Sequence, residues 1–334
     1  MSPGVSQTLL SVRDLTVEFA TEQGRVRAVD RVSFDVQAGE IVGLVGESGC
    51  GKTVTGLSVL GLVPRPPGDI VAGEILFEGK DLLQLDESGM RAVRGGDISM
   101  IFQEPMTALN PVFTIGAQMT EVLRLHKQLS RSQARAATIE MLDLVGIPAP
   151  AKRIDEYPHQ LSGGMRQRVM IAMALSCGPK LLIADEPTTA LDVTTQAQVL
   201  EQIVKLQSQF DMGVILVTHD LGVVAETCDR ALVMYCGEIV ESAPVGELFE
   251  SPAHPYTAGL LSSIPRIREQ RLDRLPVIDG VVPDLLHLPP GCRFADRCER
   301  ANSACRKQRP DLNGESSLVR CFKPLSETKA GGAS

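Results

Sequence analysis

"EIVGLVGESGCGKTVTGL", residues 40–57, is the stretch that decides the fold. It opens on an apolar run typical of a buried strand and closes on a segment that predicts a helix. Between them, the pattern G-x-x-x-x-G-K-[ST] is met by Gly46, Gly51, Lys52 and Thr53. Glycines allow successive N–H groups to turn inward around an anion, and the helix adds its positive end. A strand, loop and helix of this kind predict a P-loop in an α/β fold.

The loop offers contacts for the phosphates of a nucleotide and for its metal ion. Lys52 is expected to reach the β- and γ-phosphates, and the Thr53 hydroxyl is expected to bind Mg²⁺. The alternative is an ordinary glycine-rich turn, but the strand before the loop and the helix after it favour a nucleotide. The residues expected to surround the nucleotide are Gly46, Glu47, Ser48, Gly49, Cys50, Gly51, Lys52, Thr53 and Val54.

The remaining elements predict a protein with both antiparallel and parallel strands. Two stretches before the loop alternate apolar and polar residues, as half-buried antiparallel strands do. Residues 115–145 show helical spacing, and a further helix is predicted from Gly164. Residues 180–185 and 212–220 are apolar strands that end in polar residues, which is typical of a parallel sheet covered on both faces. Such sheets bind ligands at the carboxyl ends of their strands.

Length and charge exclude several classes of function. The chain has 334 residues, enough for one large α/β domain and a smaller appendage. Its 33 basic and 41 acidic residues give a net charge of −8, tryptophan is absent, and no basic tract occurs, so we expect no nucleic-acid partner. No apolar run approaches the roughly 20 residues that cross a bilayer, and no secretory signal is evident. We expect a cytosolic chain that meets a membrane only through other proteins.

Two acids follow the apolar strand of residues 180–185. Asp185 suits a Mg²⁺ ion held through water, and Glu186 is the candidate general base that orients the attacking water. An acidic pair at the start of a helix is the structural alternative. The P-loop upstream favours the catalytic interpretation.

A second anion-binding element lies in "QLSGGMRQRVMIA", residues 160–172. Here Ser162, Gly163 and Gly164 stand at the predicted N-terminus of a helix, where unpaired N–H groups favour an anion. One nucleotide needs only one phosphate cradle. We therefore predict that this element serves a nucleotide bound to a partner subunit.

With these motifs the chain resembles the ATP-binding subunits of ABC transporters, over about residues 8–250. Three stretches match in the order of the family: the Walker A loop at 46–53, the signature "LSGGQ" at 161–165, and Walker B with its catalytic glutamate at 181–186. The resemblance implies a P-loop ATPase core with an antiparallel β subdomain and an α-helical subdomain at about residues 104–178. It also implies that ATP is closed between two protomers.

The resemblance assigns further roles to single residues. Gln103 is similar to the Q-loop glutamine, which touches Mg²⁺ and faces the transmembrane subunits. Asp192 is similar to the D-loop aspartate, and His219 to the switch histidine that holds the γ-phosphate. Phe19 suits the aromatic residue that stacks on adenine. Taken alone, His219 could be structural and Phe19 could be a core residue of its strand.

The sequence departs from the family pattern at two positions. Cys50 replaces the usual small hydroxyl residue of the loop, where the backbone would carry the role. Met165 replaces the glutamine of the signature, which could weaken a hydrogen bond between protomers, whereas Ser162 and Gly164 are retained.

The C-terminal part, "HPYTAGLLSSIP" from His254 onward, resembles the extension of the oligopeptide/dipeptide importer ATPases. We place a domain boundary near residue 250, with the extension at 251–325. The resemblance implies a second ATPase subunit, two permeases, an external peptide-binding protein, and a peripheral position on the cytoplasmic face of the inner membrane. Gln103 and residues 104–160 would dock the permeases. The alternatives are import of nickel, haem or another solute, a non-transport ABC ATPase, and a regulatory scaffold.

Four cysteines of the extension have the spacing C-x5-C-x6-C-x15-C: Cys292, Cys298, Cys305 and Cys321. Structural zinc commonly uses close C-x2-4-C pairs, whereas iron–sulfur clusters take four thiolates at more varied spacing. The abundant arginines nearby would suit an anionic cluster or a solvated surface. The resemblance to the dipeptide-importer branch favours a 4Fe–4S cluster of structural role, with zinc and unligated thiols as alternatives. The other four cysteines are scattered, and most are predicted to be buried.

Overall fold

The computed structural model describes residues 8–103, 108–188, 192–264 and 277–325. The chain divides into two compact units. The first unit contains Met1–Leu9, Val36–Glu40 and Leu82–Leu216. The second unit contains Leu10–Asp35, Ile41–Asp81 and Val217–Ser334.

The strands are numbered in chain order. They are β1 (Thr8–Thr21), β2 (Gly24–Gln37), β3 (Ile41–Val45), β4 (Gly68–Phe77), β5 (Lys80–Asp81), β6 (Ile98–Ile101), β7 (Leu181–Asp185), β8 (Gly213–Thr218), β9 (Arg230–Tyr235), β10 (Glu238–Pro244), β11 (Asn313–Gly314) and β12 (Leu318–Val319).

The helices among the described residues are mostly short. The α-helices are Lys52–Val59, Glu87–Val93, Ile115–Lys127, Arg131–Leu144, Pro150–Arg153, Gly163–Leu175, Val193–Phe210, Leu221–Thr227, Val245–Glu250, Pro255–Ser262 and Ser303–Lys307. Turns of 3₁₀-helix occur at Leu82–Gln84, Pro158–Gln160 and Ala295–Arg297. Within the described parts of the chain, every helix is too short or too polar to cross a membrane.

An antiparallel sheet has the strand order β2-β1-β4-β5. Apolar and polar residues alternate along its strands, which gives the sheet one buried and one exposed face. In β2, Val32, Phe34 and Val36 are buried, while the residues between them are exposed. β1 pairs antiparallel with β4, and Phe19 lies opposite Gly68 in this register. The predicted antiparallel β subdomain is confirmed.

The parallel strands are apolar along their whole length because both of their faces are buried. Every residue of β3 and of β7 is buried. In the second unit the strands run in the order β11-β12-β10-β9-β3, and β3 pairs parallel with β9. In the first unit β7 lies between β8 and β6, and β6 pairs parallel with β7. The predicted α/β class with parallel strands is confirmed.

The helical stretch of residues 115–145 consists of two helices. Thr114 caps the first, Ile115–Lys127, and its side chain accepts a hydrogen bond from Ala117 N. Gln128 then takes a left-handed conformation (φ 53°), and Ser130 begins Arg131–Leu144 with a capping box. Periodicity alone does not reveal this break because both helices keep the same apolar spacing. The helix predicted from Gly164 begins one residue earlier, at Gly163.

In the second unit the C-terminal extension packs on the strands near the P-loop. The Tyr235 ring, at the end of β9, lies 4.6 Å from the Tyr256 ring and 5.4 Å from the Phe294 ring. Residues on both sides of position 250 therefore share one hydrophobic core. The domain boundary near residue 250 stays a prediction.

A buried ion network joins β2, β10 and the extension within this unit. Arg293 pairs with Asp30 and with Glu238, and Arg309 contacts the same two carboxylates. Buried charges persist only when they are paired, so these groups fix the extension against the strands.

Candidate nucleotide-binding site

Backbone conformation shapes the predicted phosphate loop, which connects β3 to the helix Lys52–Val59. Gly46 (φ 153°) and Gly51 (φ 105°) have positive φ values that disfavour other residues. A Cβ atom on Gly46 would overlap the Met234 carbonyl oxygen, and one on Gly51 would overlap the Ala28 carbonyl oxygen. The glycines of the motif are therefore required by space as well as by conformation.

The Lys52 side chain folds back over the loop. Its Nζ donates hydrogen bonds to the carbonyl oxygens of Gly46 (2.9 Å) and Glu47 (3.1 Å), and the side chain is buried. Ser48, Gly49 and Thr53 are exposed, while Cys50 is buried and Val54 is partly buried. The arrangement holds the Lys52 ammonium group against the loop, and phosphate binding by this loop stays a prediction.

The extension contacts this loop at Glu47, which the sequence did not lead us to expect. The Glu47 N–H donates to the Tyr256 hydroxyl (3.0 Å). Arg297 donates to both carboxylate oxygens of Glu47, at 2.8 Å and 3.1 Å. The His254-Pro255-Tyr256 triplet indicated the extension in the sequence, but the pattern does not show which residue the tyrosine contacts.

In the first unit the structure brings Gln103 and Glu186 together. Asp185 is the buried last residue of β7, and Glu186 follows it with φ 45°, in the left-handed region. The Gln103 side-chain amide donates a 3.1 Å hydrogen bond to the Glu186 carboxylate. Such a φ is uncommon for a residue other than glycine.

Two further predicted residues of the first unit cap helices. The Ser162 Oγ accepts from Met165 N (3.3 Å) at the start of Gly163–Leu175, and Ser162 and Gly163 are exposed. Asp192 caps Val193–Phe210, and its carboxylate accepts from the Thr195 N–H and hydroxyl, which holds the pKa of Asp192 below its usual value. The neutral cap at Ser162 leaves the N-terminus of its helix suited to an anion, whereas the Asp192 carboxylate itself supplies the negative charge at the other N-terminus.

In the second unit, Phe19 and His219 occupy separate strand ends. Phe19 is half-buried near the end of β1, with its ring against Gly68. His219 is exposed directly after β8, and the next residue, Asp220, caps the helix Leu221–Thr227. The partly exposed ring of Phe19 is compatible with stacking on adenine and with a role in the core of its strand.

The four cysteines of the extension line one cavity: Cys292, Cys298, Cys305 and Cys321. All four are free thiols, and burial raises the pKa of Cys292 to about 11. Among the residues that the structure describes, no group of three or more His, Cys, Asp or Glu side chains is arranged to hold a metal ion. Arg300 lines the cavity too. The other nearby arginines pair with carboxylates: Arg293, Arg297, Arg306 and Arg309.

The remaining cysteines behave as small apolar residues. Cys50, Cys177 and Cys236 are buried, and Cys228 is partly buried. The prediction that most of them are buried is confirmed.

Comparison with known proteins identifies the family. The model of the ABC transporter family matches residues 29–189, and that of the oligopeptide/dipeptide transporter C-terminal region matches residues 240–305. The oligopeptide transport ATP-binding protein AppD of Bacillus subtilis is 54% identical over 94% of this chain and 96% of its own. The dipeptide transport ATP-binding protein DppD of Bacillus subtilis is 52% identical, over 95% of each chain.

A solved structure agrees with this relationship. The dimeric structure of MJ0796, a bacterial ABC transporter cassette, has a TM-score of 0.63 and 26% identity, and covers 71% of this chain and 98% of that one. With a P-loop built as described and relatives more than half identical along nearly the whole chain, the protein belongs to the family of ABC transporter ATP-binding proteins that carry the oligopeptide/dipeptide transporter C-terminal region.

Proposed function

We propose that this chain is the ATP-hydrolysing subunit of an ABC importer for dipeptides or oligopeptides. The observation that carries the proposal is the glycine-shaped loop with Lys52 folded over it, in a chain 54% identical to an oligopeptide transport ATP-binding protein. ABC family membership makes the chain an ATPase coupled to transport. The peptide substrate follows from the names of the relatives and from the matched C-terminal region.

The loop binds the phosphates of ATP in this proposal. The backbone N–H groups of residues 46–53 and the positive end of the helix Lys52–Val59 surround them, and Lys52 exchanges its loop carbonyls for the β- and γ-phosphates. The half-buried ring of Phe19 stacks on the adenine. The loop and Lys52 would favour the anionic phosphates, and Phe19 would favour the aromatic adenine of the same ligand.

Hydrolysis needs a base beside the γ-phosphate. Glu186 takes a proton from the attacking water, and Gln103 orients its carboxylate through the observed hydrogen bond. His219 donates to the γ-phosphate. Thr53, Gln103 and Asp185 provide the oxygen ligands that Mg²⁺ prefers, and the bound ion would neutralise charge that develops on the phosphates.

A second protomer completes the site in this proposal. The exposed N-terminus at Ser162, Gly163 and Gly164, together with Asp192, faces the ATP of the partner. The related cassette MJ0796 is described as a dimer, which supports this arrangement. A different ATPase subunit is the proposed partner, beneath two permeases and a peptide-binding protein. The chain would then lie on the cytoplasmic face of the cell membrane.

The cysteine cavity is the proposed site of a 4Fe–4S cluster. Four thiols that line one cavity form the donor set such clusters take, and the Arg300 guanidinium, also at the cavity, suits an anionic group. The cavity side chains would shift to bring the sulfur atoms into ligating positions. Cross-linking is useful here because a small, loop-rich segment needs support to hold one shape.

Complementation tests the proposed function. A strain that lacks this chain receives the wild type or Lys52→Ala, and uptake of labelled dipeptide, tetrapeptide and Ni²⁺ is measured. We expect the wild type alone to restore peptide uptake, because Lys52 holds the phosphates. Restored Ni²⁺ uptake without peptide uptake would contradict the peptide assignment, and uptake supported equally by Lys52→Ala would contradict the ATP site.

A further inference from the structure

The phosphate loop carries an acid at its second position. Glu47 directly follows Gly46, and its carboxylate is about a quarter exposed, at 28% of its side-chain surface. An unpaired carboxylate at this position repels an anionic ligand, because like charges at short range oppose each other. A cationic partner that neutralises this acid would therefore favour the binding of phosphates to the loop.

Arg297 is that partner. Its guanidinium makes two parallel hydrogen bonds to the Glu47 carboxylate, and its side chain is only 4% exposed. Bidentate pairs of this kind are among the stronger and better oriented ion pairs in proteins. The contact with Glu47 also raises the pKa of Arg297, so the guanidinium stays charged.

The extension fixes the position of this guanidinium from several sides. Arg297 Nε donates to the Asp279 carbonyl oxygen (3.1 Å), and Nη2 donates to that of Ile278 (3.2 Å). The guanidinium lies over the Tyr235 ring, 5.8 Å from its centroid. Because these contacts fix the guanidinium, Arg297 determines the position of the Glu47 side chain.

Tyr256 adds a second contact to the same loop residue. Its hydroxyl accepts the Glu47 N–H, and its ring is fully buried. Backbone and side chain of Glu47 are thus both held by residues of the extension, which lie 209 and 250 residues further along the chain.

We propose that Arg297 is a positioning residue for ATP binding: it neutralises the Glu47 carboxylate and fixes the position of the loop that would hold the phosphates. The inference rests on the proposed ATP site. It gives the extension a role at the nucleotide, in addition to any role of the cysteine cavity. Because Arg297 directly precedes Cys298, which lines that cavity, the two sites share one segment of backbone.

Binding of ATP to the purified full-length chain tests the proposal. Arg297→Gln should weaken ATP binding by about tenfold or more, because it leaves the Glu47 carboxylate unpaired. The double variant Glu47→Gln/Arg297→Gln should recover most of the affinity, since it removes the repelling charge. Arg306→Gln is the matched control: it removes an exposed pair to Asp296 in the same extension and should bind ATP like the wild type.

The assembled transporter provides a second readout. There Arg297→Gln should raise the KM for ATP while kcat stays within about twofold, because binding is weakened without a change at the reacting atoms. Equal affinity of Arg297→Gln and the wild type overturns the proposal, and so does a double variant as weak as the single one. If Arg297→Gln does not fold, the ATP affinity of Glu47→Gln tests the proposal instead. This variant removes the repelling charge, so it must bind ATP at least as tightly as the wild type, and weaker binding overturns the proposal.

Failure of the ATP site itself gives a different pattern. If the wild type does not bind ATP, or if Lys52→Ala binds it equally well, the proposed function fails before Arg297 is tested. Normal binding by the wild type and loss in Lys52→Ala, with no effect of Arg297→Gln, rejects only the inference about Arg297.

Discussion

The side-chain amide of Gln103 lies 3.1 Å from the carboxylate of Glu186 and donates a hydrogen bond to it. The two residues are 83 positions apart in the sequence and follow the neighbouring parallel strands β6 and β7. Parallel strands bring their carboxyl ends to one edge of a sheet, so residues that follow them meet there. In this conformation Gln103 restricts the direction in which the proposed base can point.

Replacement of the proposed base should separate binding from turnover. Glu186→Gln keeps the shape of the side chain and one oxygen that can accept from Gln103, but it cannot take the proton of the attacking water. We expect unchanged ATP affinity and a fall in kcat of about 10²- to 10⁴-fold. Steady-state hydrolysis by the assembled transporter and equilibrium binding of ATP measure the two effects. Near-normal hydrolysis would count against Glu186 as the base.

Alanine substitutions should distinguish two glycines of the loop. Gly46→Ala places a Cβ against the Met234 carbonyl oxygen, whereas a Cβ on Gly49 meets no atom within 4 Å. Both have positive φ, so each alanine costs about 1–2 kcal/mol in strain, and Gly46→Ala adds the overlap. We expect Gly46→Ala to lose more thermal stability and ATP affinity than Gly49→Ala. Equal effects in melting and binding assays would show that overlap is unimportant.

Acid should destabilise the chain through His254. Full burial lowers the pKa of His254 to about 3, and its Nδ1 accepts the Tyr256 N–H, which requires the neutral ring. In the unfolded chain the ring binds a proton near its ordinary pKa of 6.5, so stability is full above pH 6.5 and falls as the pH drops toward 3.

The size of this effect can be measured by urea unfolding. We expect His254 to account for a loss of about 2 kcal/mol between pH 7 and pH 5. His254→Asn keeps an oxygen that can cap the helix Pro255–Ser262 but does not titrate, so it should lose less stability over this range. Identical pH dependence of the two proteins would exclude His254 as the source.

Loss of one cysteine should abolish the proposed cluster. Cys292→Ser removes one of the four thiols that line the cavity, and a 4Fe–4S cluster normally needs all four. After anaerobic purification, we expect a brown wild-type protein with iron and sulfide, a colourless variant, and faster proteolysis of the variant's extension. A wild type that contains zinc and no iron would contradict the assignment.

The helical region shows where sequence reasoning reached its limit. Its apolar spacing predicted helix throughout residues 115–145, but Gln128 and Ser130 divide it into two helices. Ser130 is a residue type that commonly caps a helix, and the sequence shows this. The apolar spacing does not show whether one helix ends and another begins at such a residue, or whether a single helix runs through it. Tertiary packing of the two helices decides that question.

Local requirements explain what the sequence determined by itself. The loop, its strand and its helix follow from residues 40–57, because glycine conformation, apolar burial and helix polarity act over a few residues. The contact between Arg297 and Glu47 spans 250 residues and depends on how the extension packs on β9. No local pattern encodes such a pair, because the free energy of ion pairing depends on distance and burial, which only the folded chain fixes.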